Sequence, residues 1–114
     1  MTPTLLEREE RFQRLFEEAP VAYHEIDAEG RVCRVNRAEC EMLGFRREEI
    51  LGRPVWDFVV PAEREECRES VTQKLAGEKP LSPGQRDYVD GNGRRLFLEF
   101  HENLIHDGAG RIAG

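Results

Sequence analysis

The sequence predicts an α+β domain in which helices cover one face of an antiparallel sheet. Two runs alternate apolar and polar residues around a glycine turn, VAYHEIDAEGRVCRV (Val21–Val35) and QRDYVDGNGRRLFLEF (Gln85–Phe100). Helical spacing with recognisable caps is gathered between them, from Asn36 to Gly77. Strands and helices kept in separate blocks favour α+β over the alternating units of a parallel sheet.

Residues 4–18, TLLEREERFQRLFEE, read as an amphipathic helix that stops before Pro20. Leu5, Phe12, Leu15 and Phe16 form its apolar stripe, which can cover the domain's own core or zip against a second copy. In VAYHEID, Glu25 and Asp27 need water, which turns Ala22, His24 and Ile26 inward. Gly30 supplies the positive backbone angle of the turn. In the return strand Arg34 points outward, so Cys33 and Val35 are expected inward. Asn36 ends that strand and caps the helix RAECEML. Ala38, Met42 and Leu43 form the helix's inner face, and Gly44 closes it. Further helical turns are expected at RREEIL, ending at Gly52, and around Val55–Phe58. Pro61 opens a longer helix to Gly77 with Cys67, Val71 and Leu75 spaced four apart. After a Pro/Gly loop, the second hairpin turns at Asp90–Gly93, with Leu96, Leu98 and Phe100 facing in and Phe97, Glu99 and His101 facing out. Asp107–Gly110 makes another turn, and RIAG begins a last strand.

The chain has 114 residues, enough for one domain that buries roughly 65% of its unfolded surface. Its net charge of −6, from 23 acidic and 17 basic residues, offers no basic stripe for nucleic acid. Cys33, Cys40 and Cys67 show neither metal-ligand spacing nor a disulfide framework, which fits a reducing, cytoplasmic setting. No apolar run is long enough for membrane contact by this segment. There is no GxSxG, HExxH or phosphate loop, and the serines Ser70 and Ser82 have no neighbouring base in sequence, so catalysis is not expected.

The stretch FQRLFEEAPVAYHEIDAEGRVCRVNRAECEMLGFRREEILGRPVWDFVVP, followed by DGNGRRLFLEFHENLIHDGAGRI, resembles a PAS domain, the sensory module of bacterial signalling proteins. The resemblance spans about nine-tenths of the chain, from Phe12 onward. It rests on the ordered run Asp27, Gly30, Asn36, Gly44, Glu49, Gly52, Asp90-Gly91 and Gly110. It implies a five-stranded antiparallel sheet in order 2-1-5-4-3, with most of the last strand missing at Gly114. Residues 1–18 would then be an N-terminal dimerisation or capping helix and residues 19–114 the PAS domain proper.

Flavin photosensors of the family carry a cysteine in an NCRFLQ-like motif. Here VCRVN (Val32–Asn36) lies on a strand before the helices, and RPVWDFVVPAE contains no cysteine. Haem sensors use a histidine on the long helix, whereas this chain has His24, His101 and His106, all elsewhere. No cofactor or metal is therefore expected, a haem held by His24 or a flavin stacked on Trp56 being the alternative. The candidate ligand residues are His24, Met42, Trp56, Cys67, Val71, Tyr88, Leu98 and Phe100. Each also has a plainer reading: a bonded core histidine, a small core thiol, a tryptophan that seals the core, a tyrosine on the sheet surface. Asp27, Gly30, Asn36, Gly44, Gly52 and Gly91 are candidate structural positions. Leu5, Phe12, Leu15, Phe16 and Phe97 are candidates for a homodimer interface.

The expected role is a non-catalytic sensory or regulatory module of a larger bacterial signalling protein, of the two-component kind. It would bind a small ligand, associate with itself, or both, and act on an output domain C-terminal to it. The alternative is a ligand-free homodimerisation module. The purified chain should show neither a Soret nor a flavin band. An ultraviolet–visible spectrum with native mass spectrometry checks this, and a coloured sample of matching extra mass would overturn it.

Overall fold

Thr4 starts the first helix by accepting a hydrogen bond from the Glu7 amide at 3.1 Å on its side-chain oxygen. In the computed structural model, which describes residues 2–114, helix α1 runs Leu5–Glu18. Strands β1 (His24–Ile26) and β2 (Val32–Val35) form the first hairpin. Helices α2 (Arg37–Leu43) and α3 (Arg47–Ile50) follow, then 3-10 turns at Val55–Phe58 and Pro61–Glu63. Helix α4 (Arg64–Leu75) leads into the second hairpin, β3 (Gly84–Val89) and β4 (Arg95–Phe100).

The α+β architecture is as expected, but the five-stranded sheet is not seen. Four strands form two antiparallel pairs, β1–β2 and β3–β4. The expected last strand is reduced to one bridge between His106 and Ile112, with Ile105 donating to the Gly114 carbonyl at 2.9 Å. Gly114 has by then reached the backbone of Ile26 on β1. Within residues 2–114 the two pairs are therefore not joined by a strand between β1 and β4. The outer sides of both pairs are covered by irregular chain, which protects sheet edges from unwanted pairing. Val32 exchanges hydrogen bonds with Arg53 and Gly52 beside β2, and the Val60 amide donates to Asp87 beside β3.

The first hairpin departs from simple alternation. Glu25 pairs with Arg34 but Ile26 pairs with Val32, so Cys33 is an extra residue in a β-bulge. Cys33 consequently faces solvent, contrary to its expected inward position, while Val32 and Val35 are both buried. A similar correction applies to α2. Its buried positions are Glu39 and Leu43, and Met42 stands outside with 36% exposure.

Two apolar clusters make the core. Val32, Val35, Leu43, Ile50 and Phe58 form one, and Val59, Cys67 and Val71 form the other. Ile26, Val55 and Tyr88 pack against both and join them. Ile50 and Val59 are fully enclosed, each worth roughly 1.5–3 kcal/mol by transfer from water.

The three hairpin turns share one construction. Asp27, Asp90 and Asp107 each use Oδ1 to accept from amides two and four residues ahead, and Gly30, Gly93 and Gly110 each adopt φ near +80°. Gly91 serves a different purpose. Its amide donates to the Leu43 carbonyl at 2.7 Å, and a Cβ there would overlap the Gly44 carbonyl oxygen. The second hairpin thus locks onto the C-terminal end of α2 at a point where only glycine fits.

Gly91→Ala is expected to destabilise the domain by about 1–3 kcal/mol through overpacking. Gly108→Ala, with open space around the new methyl group, should stay within about 0.5 kcal/mol of the parent. Urea unfolding of both variants checks the contrast.

Candidate functional site

Asn36 lies at the junction of β2 and α2 and is fully buried. Its Oδ1 accepts from the Glu39 amide at 3.1 Å, capping α2, and from the Tyr23 amide at 3.0 Å. Its Nδ2 donates to the carbonyls of Phe16 at 3.1 Å and Val21 at 2.8 Å. Its own amide donates to Tyr23 and its carbonyl accepts from Cys40. The side-chain amide therefore has both donors and two acceptor sites in use, tying α1, the following linker, β1 and α2 together.

His24 of β1 is half-buried, as is its neighbour Glu25, and it meets a partner that sequence periodicity did not identify. Its Nδ1 lies 2.9 Å from Oε1 of Glu39, whose side chain retains 10% exposure against 32% for His24. A carboxylate on the inner face of a helix needs such a partner. The bulge at Cys33 pairs His24 with Val35 in the hairpin, and Glu39 follows Val35 by about one helical turn, a juxtaposition that simple alternation does not reveal. Burial opposes charging of His24. The hydrogen bond and charge of Glu39, with the charge of Glu102, outweigh it and raise the histidine above its ordinary value.

More polar groups stand around the same interior. Lys74 of α4, with 11% of its side chain exposed, bonds Glu102 at 2.6 Å and lies 5.3 Å from the Phe100 ring centre. Arg86 of β3, equally covered, bonds Glu66 at 2.6 Å. Tyr88 packs against both core clusters instead of lying on the sheet surface, and burial pushes its hydroxyl up to about 12. Burial likewise raises the Cys67 thiol, which keeps it protonated and inert as a core residue.

Of the sequence candidates for ligand contact, Trp56, Cys67, Val71, Tyr88 and Leu98 lie in or against the core clusters. Phe100 is half-buried beside Lys74 and Arg86, and His24 is in the polar group just described. Trp56 lies over the first hairpin turn, its ring filling the space that a Cβ at Gly30 would need. Met42 is outside this interior. Among the described residues, no three or more His, Cys, Asp or Glu side chains stand together as a metal site.

The outer surface is different in kind. Phe16 is partly covered, edge-on to Tyr23, while the Arg34 guanidinium lies 3.9 Å from the Phe16 ring centre and 5.3 Å from that of Phe12. Arg34 also bonds Gln13 at 3.0 Å, and Arg47 pairs with Glu17. These contacts hold the C-terminal half of α1. Leu5, Leu6, Phe12 and Leu15 remain 56–72% exposed, and Phe97 on the outer face of β4 is 67% exposed. Two surface depressions, of about 670 and 300 Å³, lie along α1. Among the described residues no helix is long and apolar enough to cross a membrane.

The sequence model of the family described as PAS fold matches residues 10–114. Biofilm dispersion protein BdlA of Pseudomonas aeruginosa is 32% identical over 90 residues, which cover 77% of this chain and 21% of that protein. The chain thus spans about a fifth of that curated relative. The PAS domain of an HTR-like protein from Haloarcula marismortui superposes with a TM-score of 0.77 at 28% identity, covering 96% of this chain and 88% of that one. The PAS domain of the RpfR quorum-sensing receptor from Cronobacter turicensis, in complex with C12:0, superposes with a TM-score of 0.61 at 25% identity over 72% of this chain and 79% of that one.

Asn36→Ala removes a helix cap and leaves the carbonyls of Phe16 and Val21 and the amide of Tyr23 without their partner. A loss of about 2 kcal/mol is expected, combining a cap of about 1 kcal/mol with the other hydrogen bonds of a buried side chain. Chemical denaturation monitored by circular dichroism checks it.

Proposed function

The chain belongs to the PAS family, and on that premise we propose that it is a non-catalytic sensory and regulatory module that works by self-association through α1 and controls an output domain of a larger signalling protein. The observation that carries this reading is the apolar side of α1. The helix has no buried residue, and Leu5, Leu6, Phe12 and Leu15 are held in water at 56–72% exposure. A helix of 14 residues is marginal by itself. Only its C-terminal half is pinned to the domain, through Arg34, Asn36 and Arg47. A second copy laid along the free stripe would bury these side chains and order the first turns of both helices. Phe97 extends the apolar surface available on the sheet side.

A small ligand is a second mode of input, favoured by the polar groups His24, Glu39, Lys74, Glu102 and Tyr88, which stand at the edge of the apolar core. A PAS domain of similar fold holds C12:0, which supports ligand binding as a use of this architecture. Any such ligand must bind one arrangement of the domain better than another to carry a signal. Self-association takes precedence because the exposed stripe is explicit in the structure.

Sedimentation velocity over a wide concentration range tests the proposal. A reversible monomer–dimer equilibrium is expected, and Leu5→Ser with Leu15→Ser should shift it to monomer while changing stability by less than about 0.5 kcal/mol per site. A chain that stays monomeric at every concentration would overturn self-association as the mode of action.

A further inference from the structure

We propose that the His24–Glu39 pair is a proton-dependent latch, relayed through Asn36, that sets how firmly the last turn of α1 is held to the domain. This extends the reading of α1 as the movable element, although the latch itself does not require a dimer.

The path is continuous in hydrogen bonds. His24 Nδ1 meets Glu39 Oε1 at 2.9 Å, the Glu39 amide donates to Asn36 Oδ1 at 3.1 Å, and Asn36 Nδ2 donates to the Phe16 carbonyl at 3.1 Å. Phe16 belongs to the last turn of α1. The same Oδ1 accepts from Tyr23, the residue just before His24, at 3.0 Å. Because each polar group of the Asn36 side chain is occupied and buried, α2 cannot shift at Glu39 without disturbing the bonds to Phe16 and Tyr23.

With His24 protonated, Glu39 has a charge-assisted hydrogen bond and a countercharge at the same place. When His24 loses its proton, the carboxylate keeps at most a neutral hydrogen bond while remaining mostly out of water. Such a group draws in water or turns outward. Either response pulls on the first turn of α2, whose Glu39 amide is bonded to Asn36. The groups facing His24 do not cancel this. Glu39 from α2 and Glu102 beyond β4 both favour the charged ring, Glu102 is itself neutralised by Lys74 of α4, and Tyr88 of β3 stays protonated. Across the hairpin, Glu25 points the other way and pairs with Arg34 at 3.5 Å.

His24 is raised above its ordinary value of 6.5, so the latch is fully engaged below that pH and is lost as pH rises through the raised value. The direction is release of α1 on the alkaline side.

The test is amide hydrogen exchange of the full chain across this range, corrected for intrinsic exchange and run dilute enough to be monomeric by sedimentation. The His24 ring is titrated by NMR in the same samples. Protection of the amides in the last turn of α1 should fall by roughly tenfold, the scale of losing a charge-assisted bond. Its midpoint should coincide with that of His24. Glu39→Gln, which keeps a hydrogen-bond acceptor but removes the charge, should lower the His24 midpoint and flatten the change in α1. Constant protection through the His24 titration would overturn the latch, as would an unaltered response in Glu39→Gln. If that variant does not fold, the agreement or disagreement of the two wild-type midpoints decides the matter. A failure to dimerise would count against the proposed mode of action without touching this result.

Discussion

The structure depends on the need to satisfy one buried side-chain amide. Asn36 stands where the first hairpin becomes the first core helix, and its hydrogen bonds reach α1, the linker after it, β1 and α2. Each bond is ordinary in strength, on the order of 1 kcal/mol net. Their joint effect is geometric. Because none can be exchanged for water in a fully buried site, the four segments are held in a single relative arrangement.

Around this junction the interior is divided. Apolar packing is carried by two clusters joined through Ile26, Val55 and Tyr88. Ionisable groups occupy the neighbouring region in matched pairs, His24 with Glu39, Lys74 with Glu102 and Arg86 with Glu66. Glu39, Lys74 and Arg86 are the members largely withdrawn from water, and losing the partner of such a charge is costly.

The exterior has a complementary division. Phe97 on the outer face of β4 stands in water, whereas irregular chain shields the outer sides of β2 and β3. The first helix is the opposite case, pinned at one end by Arg34, Asn36 and Arg47 and apolar along a side that nothing in the domain covers. Of these anchors, Asn36 also touches the polar interior, through the Glu39 amide. An element that is both loosely held and wired to buried charges is suited to transmit a change from inside the domain to a partner outside it.

Much of this was legible in local sequence. Thr4, Asn36 and Gly44 mark helix ends because capping is a contact between near neighbours. The Asp-x-x-Gly turns at Asp27, Asp90 and Asp107 follow from side-chain bonds within five residues, and β4 alternates as the pattern required. What escaped depended on residues far apart in the chain. The bulge at Cys33 turns Val32 in and Cys33 out while Val35 stays inward, and no repeat of period two can announce an extra residue. Glu39 is buried because His24, fifteen positions earlier, is brought to it. Gly91 and Gly30 are required because Gly44 and Trp56 occupy the space beside them. Sequence by itself determined the order of helices and hairpins, the cap at Asn36 and the glycine turns, since those are set by backbone preferences and local hydrogen bonds. Only the tertiary structure decided which polar groups meet, which face of α2 is inner and which side of α1 stays bare, because burial and charge pairing exist only between segments that have already come together.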